Sequence, residues 1–292
     1  MIPPSVRRAV EREIGPVVEA RPVGGGCINE ALRVTTARGA CFVKHNAAAP
    51  PEMFAAEADG LRALRDAAPE EIRVPEVLAM GGEGTADDPV WIALEWLEPG
   101  ARRRDFGERL GRGLAALHRA RSGGWGWERT NFIGSLPQEN GGAATWAEFW
   151  RDRRIAPQLR RAREGGRLPG KEAEWERLIA RLPDLLAAAE DDGPSLLHGD
   201  LWGGNVASAS GDPALIDPAV YRGHREADLA MAELFGGFDA AFHAAYREAW
   251  PLRPGYDEAR RAIYQLYYLL VHVSLFGGGY VAQTAGVLRT IT

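Results

Sequence analysis

The chain of 292 residues, 46% hydrophobic and 26% charged, has the composition of a globular protein long enough for one large domain or for two lobes around separate cores. A formal charge of −5 and a pI near 5.8 speak against a chain that lives on nucleic acid or on an anionic membrane. Two cysteines, Cys27 and Cys41, make no disulfide framework and suit a reducing cytoplasm.

The N-terminus, Met1-Ile2-Pro3-Pro4, has no apolar stretch behind basic residues, so no secretory signal is expected. Ala31 to Thr36 and Ala40 to Lys44 are β-prone runs separated by Ala37-Arg38-Gly39, which predicts a hairpin with glycine in the turn. Pro51 to Asp66 places Phe54, Ala58, Leu61 and Leu64 at a helical period. Val90 to Leu97 is a further strand, ended by the turn signal Glu98-Pro99-Gly100. That turn is the candidate boundary between an N-terminal lobe, residues 1–98, and a C-terminal lobe, residues 99–292.

Beyond it the pattern is helical: Phe106 to Ala120, Trp146 to Arg163, Glu172 to Glu190, Ala227 to Glu248 and Asp257 to Phe276. The arginines of Arg151 to Arg163 alternate with acidic residues, as on a solvated helix face. Gly123 to Gly142 is a long segment rich in Gly, Trp, Asn and Pro, the kind of loop that is usually functional. Ala262 to Leu288 carries no Asp, Glu, Lys or Arg, but its helical part stops at Gly277-Gly278-Gly279. About fifteen residues remain, fewer than the roughly twenty a membrane span takes, and a buried helix is expected.

The chemistry is concentrated in His198-Gly199-Asp200-Leu201-Trp202-Gly203-Gly204-Asn205 and in Leu215-Ile216-Asp217. Phosphoryl transfer needs one carboxylate to take the proton of the attacking hydroxyl and oxygen ligands to hold magnesium on the phosphates. The D-x-x-x-x-N spacing of Asp200 and Asn205 matches the catalytic loop of protein kinases, and Asp217 stands where their magnesium-binding Asp follows. D-x-x-x-x-N alone is common; the flanking His-Gly and the strand-borne Asp217 give it weight.

Upstream, Gly24, Gly25 and Gly26 precede a strand, where glycines let main-chain N–H groups close on phosphate oxygens. Phe42-Val43-Lys44 follows, with Lys44 placed to reach phosphates. A lysine there needs a carboxylate to hold it; Glu57 on the next helix is the candidate, ahead of Glu52 and Asp59. Glu95, Trp96 and Leu97 would form a hinge whose main chain meets the adenine. The fold these pieces imply is α+β: a bilobal protein-kinase-like arrangement, with a small β-rich lobe before a larger helical one.

With these pieces in order, the chain resembles the fructosamine kinase (ketosamine-3-kinase) family, related to aminoglycoside phosphotransferases. The resemblance runs through Gly24 to Asn29, Phe42 to Lys44 and Phe54 to Leu61. It continues through Asn131-Phe132-Ile133-Gly134 with Pro137-Gln138, His198 to Asn205 and Asp217-Pro218-Ala219. Arg225 to Met231 and Leu275 to Tyr280 complete it. It implies ATP- and Mg²⁺-dependent phosphorylation of the 3-hydroxyl of a ketosamine, with Asp200 as proton acceptor. Asn205 and Asp217 would hold magnesium, while Lys44, Glu57 and the glycine loop with Asn29 hold nucleotide. His198 would support the loop.

The ten residues between Asp217 and Asp228 leave little room for a peptide platform, so a small or exposed acceptor is expected: a free ketosamine or a glycated lysine. Trp202 is a candidate to stack on the sugar, and Asn131 and Gln138 to line its pocket. Asp228 is weighed between acceptor contact and a capping or loop-bracing role. Cys27, in the loop over the phosphates, is a redox candidate. The alternative acceptors are an aminoglycoside, choline or homoserine. Neither a nucleic-acid partner nor a membrane is expected, and the chain would be a monomer or homodimer.

Overall fold

The computed structural model describes residues 1–24, 29–120 and 123–292. Helix α1 (Pro4–Glu13) leads into an antiparallel sheet of β1 (Val17–Pro22), β2 (Glu30–Thr36), β3 (Gly39–Asn46), β4 (Val77–Gly81) and β5 (Val90–Glu95), ordered β1-β2-β3-β5-β4, with helix α2 (Glu52–Ala67) inserted between β3 and β4. The β2–β3 hairpin is the one the sequence predicts, and Thr36 Oγ1 ties its turn by donating to Gly39 O. Alternation along β3 sends Cys41 and Val43 into a small core with Val6 and Val10 of α1, while Lys44 turns to the opposite face, toward α2.

The rest is mainly helical: α3 (Phe106–Arg119), α4 (Trp146–Phe149), α5 (Ala156–Glu164), α6 (Glu172–Leu185), α7 (Ala188–Asp192), α8 (Glu226–Phe235), α9 (Ala240–Ala249), α10 (Arg261–Phe276) and α11 (Gly279–Ile291). Three two-stranded pieces are set among them. They are β6 (Asn131–Ile133) with β7 (Leu136–Gln138), β8 (Ser195–Leu197) with β11 (Tyr221–Gly223), and β9 (Val206–Ala209) with β10 (Asp212–Leu215). The helix expected over 227–248 is two helices, because Gly236 and Gly237 at φ 72° and 94° turn the chain after Phe235. The strand expected to reach Leu97 leaves the ladder after Glu95. Among the described residues no helix is long and apolar enough to cross a membrane.

One apolar cluster joins the two parts. Phe54, Ala58, Leu61 and Leu64 of α2 pack with Ile92 and Leu94 of β5, and the same cluster holds Leu110 and Leu114 of α3, Leu201, Leu215 and Val220. Gly60 is where α2 comes closest: a Cβ there would sit 3.0 Å from a Val220 methyl. The helix bearing Glu57 is therefore seated directly on the segment that follows Asp217. A second cluster, built on Trp146, Trp150, Trp175, Tyr264 and Tyr267, fills the helical part below.

Candidate active site

Two local folds bring the distant polar residues together. The first is the β9–β10 hairpin, whose register pairs Val206 with Leu215. Asn205 and Ile216 flank that pair, and Ile216 N donates to Asn205 O at 3.1 Å. The thirteen residues from Asn205 to Asp217 are thus folded back on themselves, and the two side chains emerge at one end of the hairpin. The second is the turn after β8, where Asn205 Nδ2 donates to Asp200 O at 2.8 Å and to Asp200 Oδ2 at 3.0 Å. With its nitrogen so engaged, the Asn205 amide keeps Oδ1 as an acceptor. Oxygen donors of this kind, with a carboxylate, are what a hard divalent cation takes.

Lys44 reaches the same place from the sheet. Its Nζ donates to Glu57 Oε1 at 2.5 Å and to Asp217 Oδ1 at 2.8 Å. Burial works against the ammonium charge, but Glu57 and Asp217 outweigh it and hold Lys44 above the usual lysine value. Burial would raise Asp217 too; the charge and hydrogen bond of Lys44 prevail and lower it. Asp217 is the open member of the trio, 48% exposed against 6% for Lys44, so its carboxylate faces the space a ligand would enter. Its backbone sits at φ 54°, a left-handed conformation rare for a residue with a side chain and a mark of a constrained site.

Asp200 differs. Burial, with the Asp217 and Asp228 charges adding to it against the Asn205 hydrogen bond, pushes its carboxyl up to about 7. A carboxylate set near neutrality is a better proton acceptor than an ordinary aspartate. Two residues on, Trp202 is 40% exposed and folded over Gly204, where a Cβ would lie 2.2 Å from the ring. Only glycine at 204 lets the indole lie there.

These side chains form a kinase-type constellation, and residues 5–292 match the fructosamine kinase family model. The chain belongs to the fructosamine kinase family. A Synechocystis sp. protein that carries the name ketoamine kinase is 42% identical over 275 residues, which cover 94% of this chain and 90% of that one. A protein-ribulosamine 3-kinase of Oryza sativa subsp. japonica is 39% identical over 91% of this chain and 76% of its own. The crystal structure of a Thermobifida fusca protein named for fructosamine-3-kinase aligns with TM-score 0.84 at 36% identity, covering 98% of each chain. An aminoglycoside phosphotransferase bound to ADP and hygromycin B aligns with TM-score 0.63 at 17% identity over 98% of each chain, a likeness of fold. This fructosamine kinase family member is a nucleotide-using phosphotransferase with a bilobal protein-kinase-like fold.

The remaining expected positions scatter. Of the glycine loop, Gly24 and Asn29 are described, and Asn29 Oδ1 accepts from Asn46 Nδ2 at 3.0 Å; Gly25, Gly26 and Cys27 lie outside the described residues. Of the residues expected at a hinge, the Glu95 side chain turns to Arg65 and Arg73, Trp96 rests between Phe42 and Arg33, and Leu97 is half-buried.

Asn131, expected against the acceptor, is 3% exposed: its Nδ2 donates to Val220 O and its Oδ1 accepts from Gln138 and Asn140. Its amide is used up inside the protein, and Gln138 is likewise buried. Asp228, expected either to meet the acceptor or to brace the loop, is wholly buried beneath the His198–Asp200 turn, where it accepts from His198 N and Gly199 N. His198 braces the turn, its Nε2 bonding Ile216 O at 2.9 Å.

Two groups escaped the sequence reading. His118 of α3, kept neutral by burial, spans Tyr246 and Asp228. A buried ion network joins Asp192 to Arg225 and Arg253, and Glu226 to Arg260. Asp192, His224 and Glu226 lie close enough together to suggest a metal. The arginines already neutralise them, and the cluster is an ion-pair network. His118 sits on the apolar face of a periodic helix, a signal that marks burial without naming a partner.

Proposed function

We propose that the protein phosphorylates the 3-hydroxyl of ketosamines, free or on protein lysines, using Mg-ATP. The observation that carries this is the pair of contact chains Glu57–Lys44–Asp217 and Asn205–Asp200, joined where Asn205 Nδ2 donates to Asp217 O at 3.4 Å, which sets a raised-pKa carboxylate beside two oxygen donors and a held ammonium. The sugar acceptor is taken from the 39% identical ribulosamine 3-kinase and the 42% identical ketoamine kinase. Residues 1–98 would act as the nucleotide lobe and 99–292 as the lobe of the catalytic turn and acceptor. The cytoplasm suits the chemistry, since ATP is available there.

In this reading Asp200 takes the proton of the acceptor hydroxyl as its oxygen bonds the γ-phosphorus and the bond to the β-phosphate oxygen breaks, releasing ADP. Lys44, positioned by Glu57, holds phosphate oxygens. Asn205 and Asp217 would hold magnesium, whose charge offsets that of the phosphates. Trp202 offers its exposed face to the sugar's C–H groups, two residues from the base. A phosphate at C3 lies next to the C2 carbonyl, so enolisation toward C1 makes it an allylic leaving group. Elimination then expels inorganic phosphate, and water hydrolyses the imine that remains to the free amine and a deoxy-dicarbonyl, completing the deglycation.

The test is Mg-ATP with fructosyl-lysine, ribulosyl-lysine, kanamycin, choline and homoserine, locating new phosphate by phosphorus NMR. A 3-phosphate on a ketosamine, lost when magnesium is chelated, is expected. Phosphate on kanamycin with none on either ketosamine would overturn the assignment.

A further inference from the structure

The Asn131–Gln138 segment has a use that lining an acceptor pocket does not describe. Four amide and hydroxyl side chains, all buried, run in series from Arg154 to the residues just past Asp217. Arg154 Nη2 donates to Asn140 Oδ1 at 2.7 Å, and Asn140 Nδ2 to Asn131 Oδ1 at 2.7 Å. Gln138 Nε2 gives to the same Asn131 oxygen at 2.8 Å and to Ala219 O at 3.1 Å, and Asn131 Nδ2 gives to Val220 O at 2.7 Å. Tyr267 OH closes the far side on Gln138 Oε1 at 2.6 Å, which fixes which end of that amide faces Ala219.

The root of the series is unusual. Arg154 is fully buried, no carboxylate pairs with it among the described residues, and its guanidinium lies 3.9 Å from the Tyr221 ring centre and 4.6 Å from that of Phe149. Its Nη1 donates to Glu139 O at 2.8 Å and to Arg153 O at 3.1 Å, so rings and carbonyls together offset the cost of burying the cation.

The other end touches both parts of the site. Ala219 N donates to His198 O at 2.9 Å, so the Ala219 peptide is held between the catalytic turn and Gln138. Val220 packs on Gly60 of α2, one helical turn from Glu57, and Arg129, just ahead of β6, donates to Asp59 of the same helix at 2.7 Å. The β6–β7 hairpin therefore contacts the helix that carries Glu57 and the segment that follows Asp217. Lys44 sees both carboxylates only if their separation is kept, and Asp217 keeps φ 54° only if its neighbours are held.

We infer that Gln138 and Asn131, rooted on Arg154 and Tyr267, are positioning residues that set the Asp217 carboxylate for the nucleotide and its cation. The inference rests on the kinase reading of Asp217 and not on which acceptor is used. Gln138→Met keeps the side-chain volume and removes the amide; Tyr267→Phe removes one hydroxyl.

The test is Mg-ADP binding by calorimetry, which needs no acceptor, followed by kinetics with the acceptor that the wild type turns over. Expected are a 5- to 20-fold weaker Mg-ADP affinity and KM for Mg-ATP on the order of those same factors in Gln138→Met, a smaller shift in Tyr267→Phe, and an acceptor KM within about twofold of wild type. A raised acceptor KM with unchanged Mg-ADP binding would return these residues to the acceptor pocket and overturn the inference. So would two folded variants with wild-type constants, or loss of the fold in both, which would make the hairpin a structural brace only.

Discussion

Asp228 Oδ1 accepts the Gly199 N–H at 2.9 Å, one residue before Asp200, while its Oδ2 takes the His198 N–H at 2.7 Å. The turn that carries Asp200 is thus hung on a buried carboxylate at the start of α8. Asp228→Asn replaces one of those acceptors with a donor facing a donor. Leaving a buried main-chain N–H unpaired costs about 1–3 kcal/mol. Urea unfolding should show a loss of that size, with kcat reduced as the turn relaxes. Stability equal to wild type would mean that the turn holds itself.

Asp200→Asn keeps the shape of the turn and removes the proton acceptor. Turnover should fall by roughly 10²–10⁴, the usual contribution of general base catalysis. Nucleotide affinity should hardly change, since Asp200 makes no bond to Lys44 or Glu57 among the described contacts. Steady-state kinetics beside Mg-ADP calorimetry separates the two quantities, and equal losses in both would contradict the assigned role.

The Lys44 trio predicts unequal variants. Glu57→Gln leaves Lys44 its bond to Asp217, and kcat/KM for Mg-ATP should drop while the protein stays folded. Lys44→Met strands Glu57 in the interior. Removing one partner of a buried pair costs ~3–5 kcal/mol, and the lower end is expected because Asp217 remains half solvated. Thermal unfolding of both variants checks the order; a Glu57→Gln protein less stable than Lys44→Met would reverse it.

The Asp192 network gives a pH dependence. Burial would raise the Asp192 carboxyl, but hydrogen bonds from His224 and Arg253 and the charge of Arg225 outweigh it and hold it well below the usual carboxylate range. Its folded value therefore lies below its unfolded one, about 4. The stabilisation is complete above pH 4 and is lost as the pH falls through the folded value. Asp192→Asn should be clearly less stable than wild type at pH 7, and the gap should narrow on acidification below about pH 4. Denaturation midpoints across that range measure it; a constant gap would show that packing, not charge, is what the substitution removes.

Much of this site was legible because it is built from short-range geometry. The D-x-x-x-x-N spacing closes in one turn, and Asp217 follows a hairpin whose strands are only four residues each. Lys44 and Glu57 were readable for a similar reason: strand alternation and a single helix fix the faces on which they lie. The three-residue strands β6, β7, β8 and β11 carry no periodicity that such a length could display. The glycine break inside the expected 227–248 helix shows the limit of pattern, since apolar spacing continues across Gly236 and Gly237 although the helix does not.

By itself the sequence determined the order of a β-rich part and a helical part and picked out the candidate phosphoryl-transfer residues, because periodicity and local spacing are properties of neighbouring residues. Which way Asn131, Gln138 and Asp228 point was decided only by the tertiary structure. Each is a polar side chain that a motif can place near the site but not on one side of it. Buried polar groups must find hydrogen-bond partners, and here the partners are the carbonyls of Ala219 and Val220 and the amides of His198 and Gly199, supplied by segments up to 89 residues away.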